Sequence, residues 1–555
     1  MSSQPKRAVG FLWSLMAVAL IALPSGAQSF RVQCPTSTIT HPAALHDNNS
    51  EPAYLGPTTL IPGTSGYLTP SANVNGAIKC QQVSGGDGYS TMADGTQTFM
   101  FSFGPLSGLS DIINNQPGTE FPSVFNTVSP GVLQPGDPAT TDGASDSPYT
   151  AATTPGAFTY NGAVGLTPDA DCVAANAAAL AAVPPEPLPC PGLPPSGLDG
   201  HVAPRPIMDV GVMNGNIPAP LMAIDEDDEF FLTLTNVGMI MRPDLFEQHT
   251  IHFHGYPNAS SVYDGVPDAS VAINIGGSFT YYYLAPDAGT YFWHCHITPP
   301  EHLQMGMVGQ LYVRPRQNRV PVGNSLYTAL SSQQNDLRTA CNPAADILCS
   351  NALPAVNTGA VGGGKYVYND GDGSTGYDVE YPLQIHGFDP NFHFVGMTFN
   401  PEAFVDMKDK YFLLNGRSYP DTVTPGPMAT QSSDGRMHYS QPLPSIINIP
   451  VGKKALLRIS DLSVTEYATL ASLGIPMHVV GYNAKLLRDQ AGNNTDYYAN
   501  SITIGGGESL DVILDASNTT LYPSGSVFYL YTPNLDHLSN DAENFGGMMT
   551  EVRIN

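Results

Sequence analysis

Two stretches of this chain carry most of its chemical information: HTIHFHG at residues 249–255 and WHCHITPPEHLQMGM at residues 293–307. Together they hold six of the chain's 14 histidines, with one cysteine and two methionines. A blue copper site takes two imidazoles and a thiolate in one plane, with a weak thioether on the axis. The stretches contain these ligand types, and the candidates are His249, Cys295, His302 and Met307.

The axial ligand has two candidates, because Met305 and Met307 both follow His302 closely. Met307 is preferred, since the turn after His302 needs room before the chain enters the apolar strand expected at 308–313. A single histidine in a strand or a single buried cysteine usually has no ligand role. The metal interpretation therefore depends on the concentration of these residues in two short stretches.

The alternation of residues along a strand predicts a second group of ligands. Successive side chains of a strand point to opposite faces, so His252 and His254 share a face. His294 and His296 likewise share a face, while Cys295 between them points the other way. One short segment is therefore expected to direct a thiolate to one metal and two imidazoles to another.

The two stretches resemble the ligand motifs of the multicopper oxidases, whose copper domains are cupredoxin β-barrels. The sequence between them is also similar, at DGVP 264–267, IGGSFTY 275–281 and GTYFW 289–293. The resemblance implies that the type 1 copper ligands are His249, Cys295, His302 and Met307. It further implies a type 2/type 3 copper site whose ligands include His252, His254, His294 and His296.

Two features depart from the family pattern. Five residues, 297–301, separate His296 from His302, where many of these oxidases have three, although copper nitrite reductases also have longer gaps. The trinuclear cluster of the family takes eight imidazoles from four His-x-His motifs, and this chain has two such motifs. The missing ligands are expected from solvent, from His478 or from a neighbouring subunit, and a homo-oligomer, most simply a trimer, is expected.

The C-terminal part resembles a cupredoxin domain without a complete copper site. IPMHVVG at 475–481 resembles an eroded first motif, and YTPNLDH at 531–537, followed by GGMM at 546–549, resembles a worn second motif. His478 falls where copper nitrite reductases place a catalytic histidine, so the resemblance implies a catalytic role for it.

The chain is predicted to be all-β, with two cupredoxin-like Greek-key β-barrels and a long loop insertion in the first. Abundant Gly (55) and Pro (50), only 12% charged residues and short apolar runs between turns favour this class. A helix is possible in the Ala-rich segment 172–183. The predicted segments are a signal peptide at 1–27, an irregular lead at 28–84, a copper-binding domain at 85–315 with an insertion at about 105–205, a linker at 316–376 and a second barrel at 377–555.

The N-terminus predicts export to the periplasm or the outside of the cell. Lys6 and Arg7 precede the apolar run 8–23, and small residues follow at 25–27, as in a secretory signal. An uncleaved anchor is the alternative, and no membrane span is expected after processing. Setting Cys295 aside leaves six of the seven cysteines, which suit disulfides in an oxidising compartment. The pairs suggested by proximity in sequence are Cys34 with Cys80, Cys172 with Cys190, and Cys341 with Cys349.

A formal net charge of −27 argues against a nucleic-acid partner, which requires a basic surface, and suits a cationic reductant. The expected function is a copper-dependent oxidoreductase that takes electrons from a small-molecule or metal-ion reductant at the type 1 copper, through the edge of His302. The electrons would then reduce dioxygen at the second copper site. The alternatives are a nitrite-reductase-like enzyme, against which His252 stands where that family has its catalytic Asp, and an electron-transfer or copper-binding protein without catalysis.

Overall fold

The computed structural model describes residues 35–105, 170–187, 215–333 and 352–555, with short gaps at 36, 47, 49–50, 65, 216, 240–241, 243, 257–259, 276, 398–403, 432–436 and 542–543. The predicted signal peptide and most of the insertion lie outside these residues. So do Cys34, Cys190, Cys341 and Cys349. Cys80 is buried and disulfide-bonded, and its partner is not among the described side chains. The three cysteine pairings therefore stay predictions.

The described strands of the first half are β1 (Thr59–Pro62), β2 (Leu68–Ala72), β3 (Ile78–Thr91), β4 (Gln97–Pro105), β5 (Met222–Asp225), β6 (Glu229–Gly238), β7 (His252–His254), β8 (Ser278–Leu284), β9 (Gly289–His294) and β10 (Val308–Arg314). They form a β1-β2 hairpin and two four-stranded sheets, with strand orders β4-β3-β6-β8 and β5-β10-β9-β7. The aromatic strand β8 shows why a barrel forms, because its alternate residues Phe279, Tyr281 and Tyr283 are buried in the core between the sheets.

The second half contains β11 (Lys365–Tyr366), β12 (Gly376–Tyr377), β13 (Val379–Phe388), β14 (Tyr411–Leu414), β15 (Met428–Gln431), β16 (Met437–Ser440), β17 (Ile447–Ile449), β18 (Lys454–Asp461), β19 (Ala468–Leu473), β20 (Met477–Tyr482), β21 (Lys485–Leu486), β22 (Tyr497–Ala499), β23 (Ser501–Ile504), β24 (Glu508–Asp515), β25 (Val527–Tyr531) and β26 (Met549–Ile554). Its main sheets have the orders β14-β13-β18-β24-β20-β21, with β22 beside β20, and β17-β26-β25-β19-β23.

In the described ranges, helices are few and short. The α-helices are α1 (Ala170–Ala181), α2 (Pro299–Gln304), α3 (Leu326–Gln333) and α4 (Pro390–Met397). The 3₁₀ turns are Ser261–Tyr263, Arg316–Arg319, Phe404–Asp406, Asp421–Val423 and Leu535–Leu538. The helix predicted in the Ala-rich segment is confirmed as α1. Within the described ranges, no helix has the length and apolar character needed to cross a membrane.

The two barrels repeat one topology. In the first, β3 runs parallel to β6 and β5 runs parallel to β10. In the second, β13 runs parallel to β18 and β17 runs parallel to β26. The order β4-β3-β6-β8 therefore matches β14-β13-β18-β24, and β5-β10-β9-β7 matches β17-β26-β25-β19. The all-β, two-barrel prediction is confirmed.

The boundaries of the elements differ from those expected. Strand β3 begins at Ile78, inside the segment predicted as an irregular lead, and the β1-β2 hairpin also lies within that segment. The second half of β3 reads GGDGYST, and this Gly-rich, polar sequence resembles a loop. It is a strand because it pairs along its length with β4 and β6. The predicted linker contains α3 and β11.

Candidate copper centres

Four predicted ligands, here called the blue-copper group, meet at one end of the first barrel. They are His249, Cys295, His302 and Met307, and all four are fully buried. The ligand atoms of the first three lie within 4.8 Å of one another, and His302 Nδ1 is 3.2 Å from Cys295 Sγ.

Backbone hydrogen bonds hold this group together. The Cys295 amide donates to the Met307 carbonyl (3.1 Å), and the Met307 amide donates to the His302 carbonyl (2.9 Å). The Thr250 amide faces Cys295 Sγ at 3.4 Å. The loop between β9 and β10, including α2, is therefore closed onto the cysteine by its own backbone.

The electrostatics favour a thiolate. Burial alone raises the pKa of Cys295, but the neighbouring His302 and His249 hold that pKa well below its usual range. For His302, burial acts to lower the pKa, but the adjacent thiolate raises this pKa to about 10. Apart from the Cys295 thiolate, the buried ring nitrogens of His249 have no hydrogen-bond partner, and such a buried polar group is costly unless something binds it. This donor set fits copper.

The second nitrogen of His302 faces a carboxylate. Its Nε2 is 3.5 Å from Glu247 Oε2, and the Glu247 side chain is 23% exposed. A carboxylate beside a metal-ligating histidine orients the ring and raises its basicity. The His302 ring is fully buried, and transfer of electrons through its edge stays a prediction. Glu247, which lies outside the two ligand stretches, contacts the ring and is partly exposed.

His252, His254, His294 and His296, here called the four-imidazole group, lie where β7 pairs with the end of β9. His252 is opposite His294 in this pairing. The ligand atoms of His252, His254 and His294 lie within 4.8 Å of one another, with His254 Nδ1 at 3.2 Å from His294 Nε2. The ring centroid of His296 is 5.0 Å from that of His252.

Two carbonyl groups set the ring orientations. His252 Nδ1 donates to the Asp264 carbonyl (2.6 Å), and His294 Nδ1 donates to the Cys295 carbonyl (2.8 Å). These bonds leave the Nε2 lone pairs available to a metal. Burial, together with the neighbouring imidazoles, lowers the pKa of His254 to about 4. Burial lowers the pKa of His294 to about 3, and the imidazoles around it act in the same direction. Both rings are therefore neutral at pH 7, as metal binding requires.

The strand register corrects the assignment of the eroded first motif. Ala471 pairs with Tyr531 on β25 as His252 pairs with His294 on β9, and Leu473 pairs with Tyr529 as His254 pairs with Phe292. The counterpart of HTIHFHG is therefore ATLASLG at 468–474, and IPMHVVG lies on the following strand. The prediction relied on a retained histidine, whereas the true copy keeps only the Thr and the final Gly.

His478 is separate from both groups in this chain. Its Nε2 is 3.0 Å from Asp496 Oδ2, and its ring stacks on Tyr498 with 4.3 Å between centroids. Its catalytic role stays a prediction. Gly507 of the second barrel lies next to the four-imidazole group, since a Cβ at this position would be 3.7 Å from His254 Cε1.

Comparison with known proteins finds similarity in the ligand region of the chain. Residues 200–318 match the multicopper oxidase family model. The chain is 33% identical to laccase abr2 of Aspergillus fumigatus over 128 residues, which are 23% of this chain and 20% of that protein. It is 34% identical over 119 residues to the copper-containing nitrite reductase of Rhizobium meliloti, covering 20% of this chain and 28% of the relative. The chain thus spans about a fifth to a quarter of the length of these relatives.

Among solved structures, the blue copper oxidase of Nitrosomonas europaea superposes with a TM-score of 0.39 at 21% identity, over 61% of this chain and 78% of that one.

Proposed function

We propose that this chain, whose residues 200–318 match the multicopper oxidase family model, is a copper-dependent oxidoreductase that oxidises a small reductant and reduces dioxygen. One observation carries the proposal: Cys295 belongs to one candidate site and touches the other. Its Sγ lies 3.2 Å from His302 Nδ1, and its carbonyl accepts a hydrogen bond from His294 Nδ1. A single residue therefore connects the two ligand groups.

Copper bound at the two groups would supply one-electron chemistry at the first and dioxygen binding at the second. The chain contributes position and protection around them. Burial excludes water from the blue-copper group, and the carbonyls of Asp264 and Cys295 orient the imidazoles of the second group. Reduction of one dioxygen to two waters takes four electrons and four protons, so four one-electron oxidations of the reductant balance each turnover.

The position of Glu247 favours a reductant that is a cation or a hydrogen-bond donor. It is the partly exposed carboxylate in contact with the buried His302 ring, and the chain's net charge of −27 attracts cations at long range. Cationic metal ions and phenols both satisfy this requirement.

The second group requires more ligands than the described part of the chain places beside it. The counterparts of its imidazoles in the second barrel include Ala471, Leu473 and Tyr531, which provide no imidazole. We therefore propose a homo-oligomer, most simply a trimer, in which a neighbouring subunit completes the group, with His478 as the candidate residue. Export to the periplasm or beyond is proposed from the N-terminal signal.

The test is copper quantitation with electron paramagnetic resonance on the copper-loaded protein, together with oxygen uptake and light-scattering mass. We expect more than one copper per chain, a blue absorption band that Cys295→Ser removes, and oxygen uptake with a reductant. One copper per chain and no oxygen uptake would instead indicate an electron-transfer protein. Nitrite reduction without oxygen uptake would indicate the nitrite-reductase alternative.

A further inference from the structure

The second barrel has a cavity at the place that the blue-copper group occupies in the first barrel. It is small, with room for about one water-sized molecule, and part of it is open to solvent. Its lining includes Ala468, His537 and Met548, with Phe412, Asp409 and Glu466 beside them.

Backbone hydrogen bonds establish the correspondence. The Thr532 amide donates to the Met548 carbonyl (3.1 Å), as Cys295 does to Met307. The Met548 amide donates to the His537 carbonyl (2.9 Å), as Met307 does to His302. With the register of β19 and β25, the counterparts of His249, Cys295, His302 and Met307 are Ala468, Thr532, His537 and Met548.

The surroundings of the retained histidine are also repeated. His537 Nε2 lies 2.9 Å from Glu466 Oε2, as His302 Nε2 faces Glu247. Phe412 stacks on the His537 ring at 3.9 Å between centroids, and Phe101 contacts His302 at 5.0 Å. Because Glu466 contacts Nε2 of His537, Nδ1 of His537 is the nitrogen available to a metal. In the first barrel, Nδ1 of His302 is likewise the atom that faces Cys295.

The erosion of this site is selective. The second barrel has Thr532 at the position of the cysteine and Ala468 at the position of one histidine. It has His537 and Met548 at the positions of the other histidine and the methionine. Thioether and imidazole ligands suit Cu(I), and the loss of the thiolate removes the ligand that gives blue copper its colour. We propose that the cavity is a colourless Cu(I) site, with His537 and Met548 as its ligands and the place of the missing histidine open to a small third ligand.

The test is anaerobic titration of the full-length protein with Cu(I) in competition with a chromophoric chelator. Met548→Leu is expected to lose one equivalent of bound Cu(I) relative to the unmodified protein, and so is His537→Gln. Met549→Leu is the matched control, because neighbouring strand residues point in opposite directions, and it should keep the full stoichiometry. Equal Cu(I) binding by all four proteins would overturn the proposal.

A gain-of-function variant tests the same site without relying on a loss of bound Cu(I). In a Cys295→Ser background, which removes the native blue band, Ala468→His with Thr532→Cys restores the complete ligand set in the second barrel. We expect a new blue absorption band on adding Cu(II). If this variant folds with unchanged circular dichroism and stays colourless, the cavity is not a former copper site and the proposal is wrong.

Discussion

Cys295 is the residue at which the two ligand groups meet, and the residues around it determine how a bound metal would behave. Its thiolate faces His302 and its carbonyl faces His294. The axial position has two candidates, because Met305 and Met307 are both fully buried nearby. The second barrel favours Met307, whose counterpart is Met548, while the position matching Met305 is occupied by Gly546.

Replacing Met307 by Leu is expected to keep the blue copper but to raise its reduction potential, since a weak axial donor is lost. The measurement is a redox titration followed by the blue absorption band. Met305→Leu is the matched control and should leave the potential unchanged. The opposite result, a shift with Met305→Leu alone, would assign the axial position to Met305.

Glu247→Gln is expected to raise the reduction potential as well, because the carboxylate that makes His302 more basic is replaced by a neutral amide. We also expect kcat/KM for a cationic reductant to fall about tenfold, with a smaller change for an anionic one. The corresponding variant of the second barrel, Glu466→Gln, is the control. If Glu466→Gln changes the potential as much as Glu247→Gln, the effect is not local to His302.

At the scale of elements, the turn after the 3₁₀ helix Ser261–Tyr263 places a carbonyl against the four-imidazole group. Asp264 provides this carbonyl to His252 Nδ1, and Gly265 follows with φ +81°. A Cβ at Gly265 would lie 2.0 Å from the Ile251 carbonyl oxygen. The turn can therefore approach β7 closely only with glycine at this position.

Gly265→Ala should destabilise the protein by at least about 2 kcal/mol and reduce copper bound at the four-imidazole group, because the Asp264 carbonyl must move away from His252. Chemical denaturation and copper content of the folded protein measure the two effects. Gly255→Ala is the control: Gly255 has φ +76°, but a Cβ at this position would have no heavy atom within 4 Å, so we expect about 1–2 kcal/mol and normal copper content. Equal copper loss in both variants would contradict the role of the turn.

At the scale of the whole molecule, a buried ion network joins the two barrels. Glu380 of β13 accepts hydrogen bonds from Arg314 of β10 (2.7 Å) and Arg458 of β18 (2.8 Å), and all three side chains are at most 5% exposed. Thr290 of β9 donates to Asp511 of β24 (2.6 Å) in the same interface. The strand that leads to the ligands is thereby attached to the second barrel.

Glu380→Gln should lower the free energy of unfolding by about 3–5 kcal/mol, because two buried guanidinium groups lose their shared carboxylate. Urea denaturation measures the change. Lys454→Gln, which removes an exposed ion pair with Asp515, is expected to cost less than about 1 kcal/mol. Comparable losses in the two variants would show that the buried network contributes little.

Local sequence was enough to predict the class of fold and to nominate the candidate ligand residues. Local sequence was sufficient, because a metal site needs particular side-chain types at short spacings, and strand alternation decides which of them share a face. Three candidate ligands of each group, His249, Cys295 and His302 in one and His252, His254 and His294 in the other, come together in the structure.

Two features became visible only in three dimensions: which segment of the second barrel corresponds to the first motif, and the burial of His302 beside Glu247. Both depend on contacts between distant parts of the chain. ATLASLG is identified by its pairing with a strand about 60 residues later. It contains none of the three histidines of HTIHFHG. Burial of the His302 ring depends on neighbours such as Phe101, some 200 residues earlier. Neither the pairing nor the contact leaves a local pattern in the sequence.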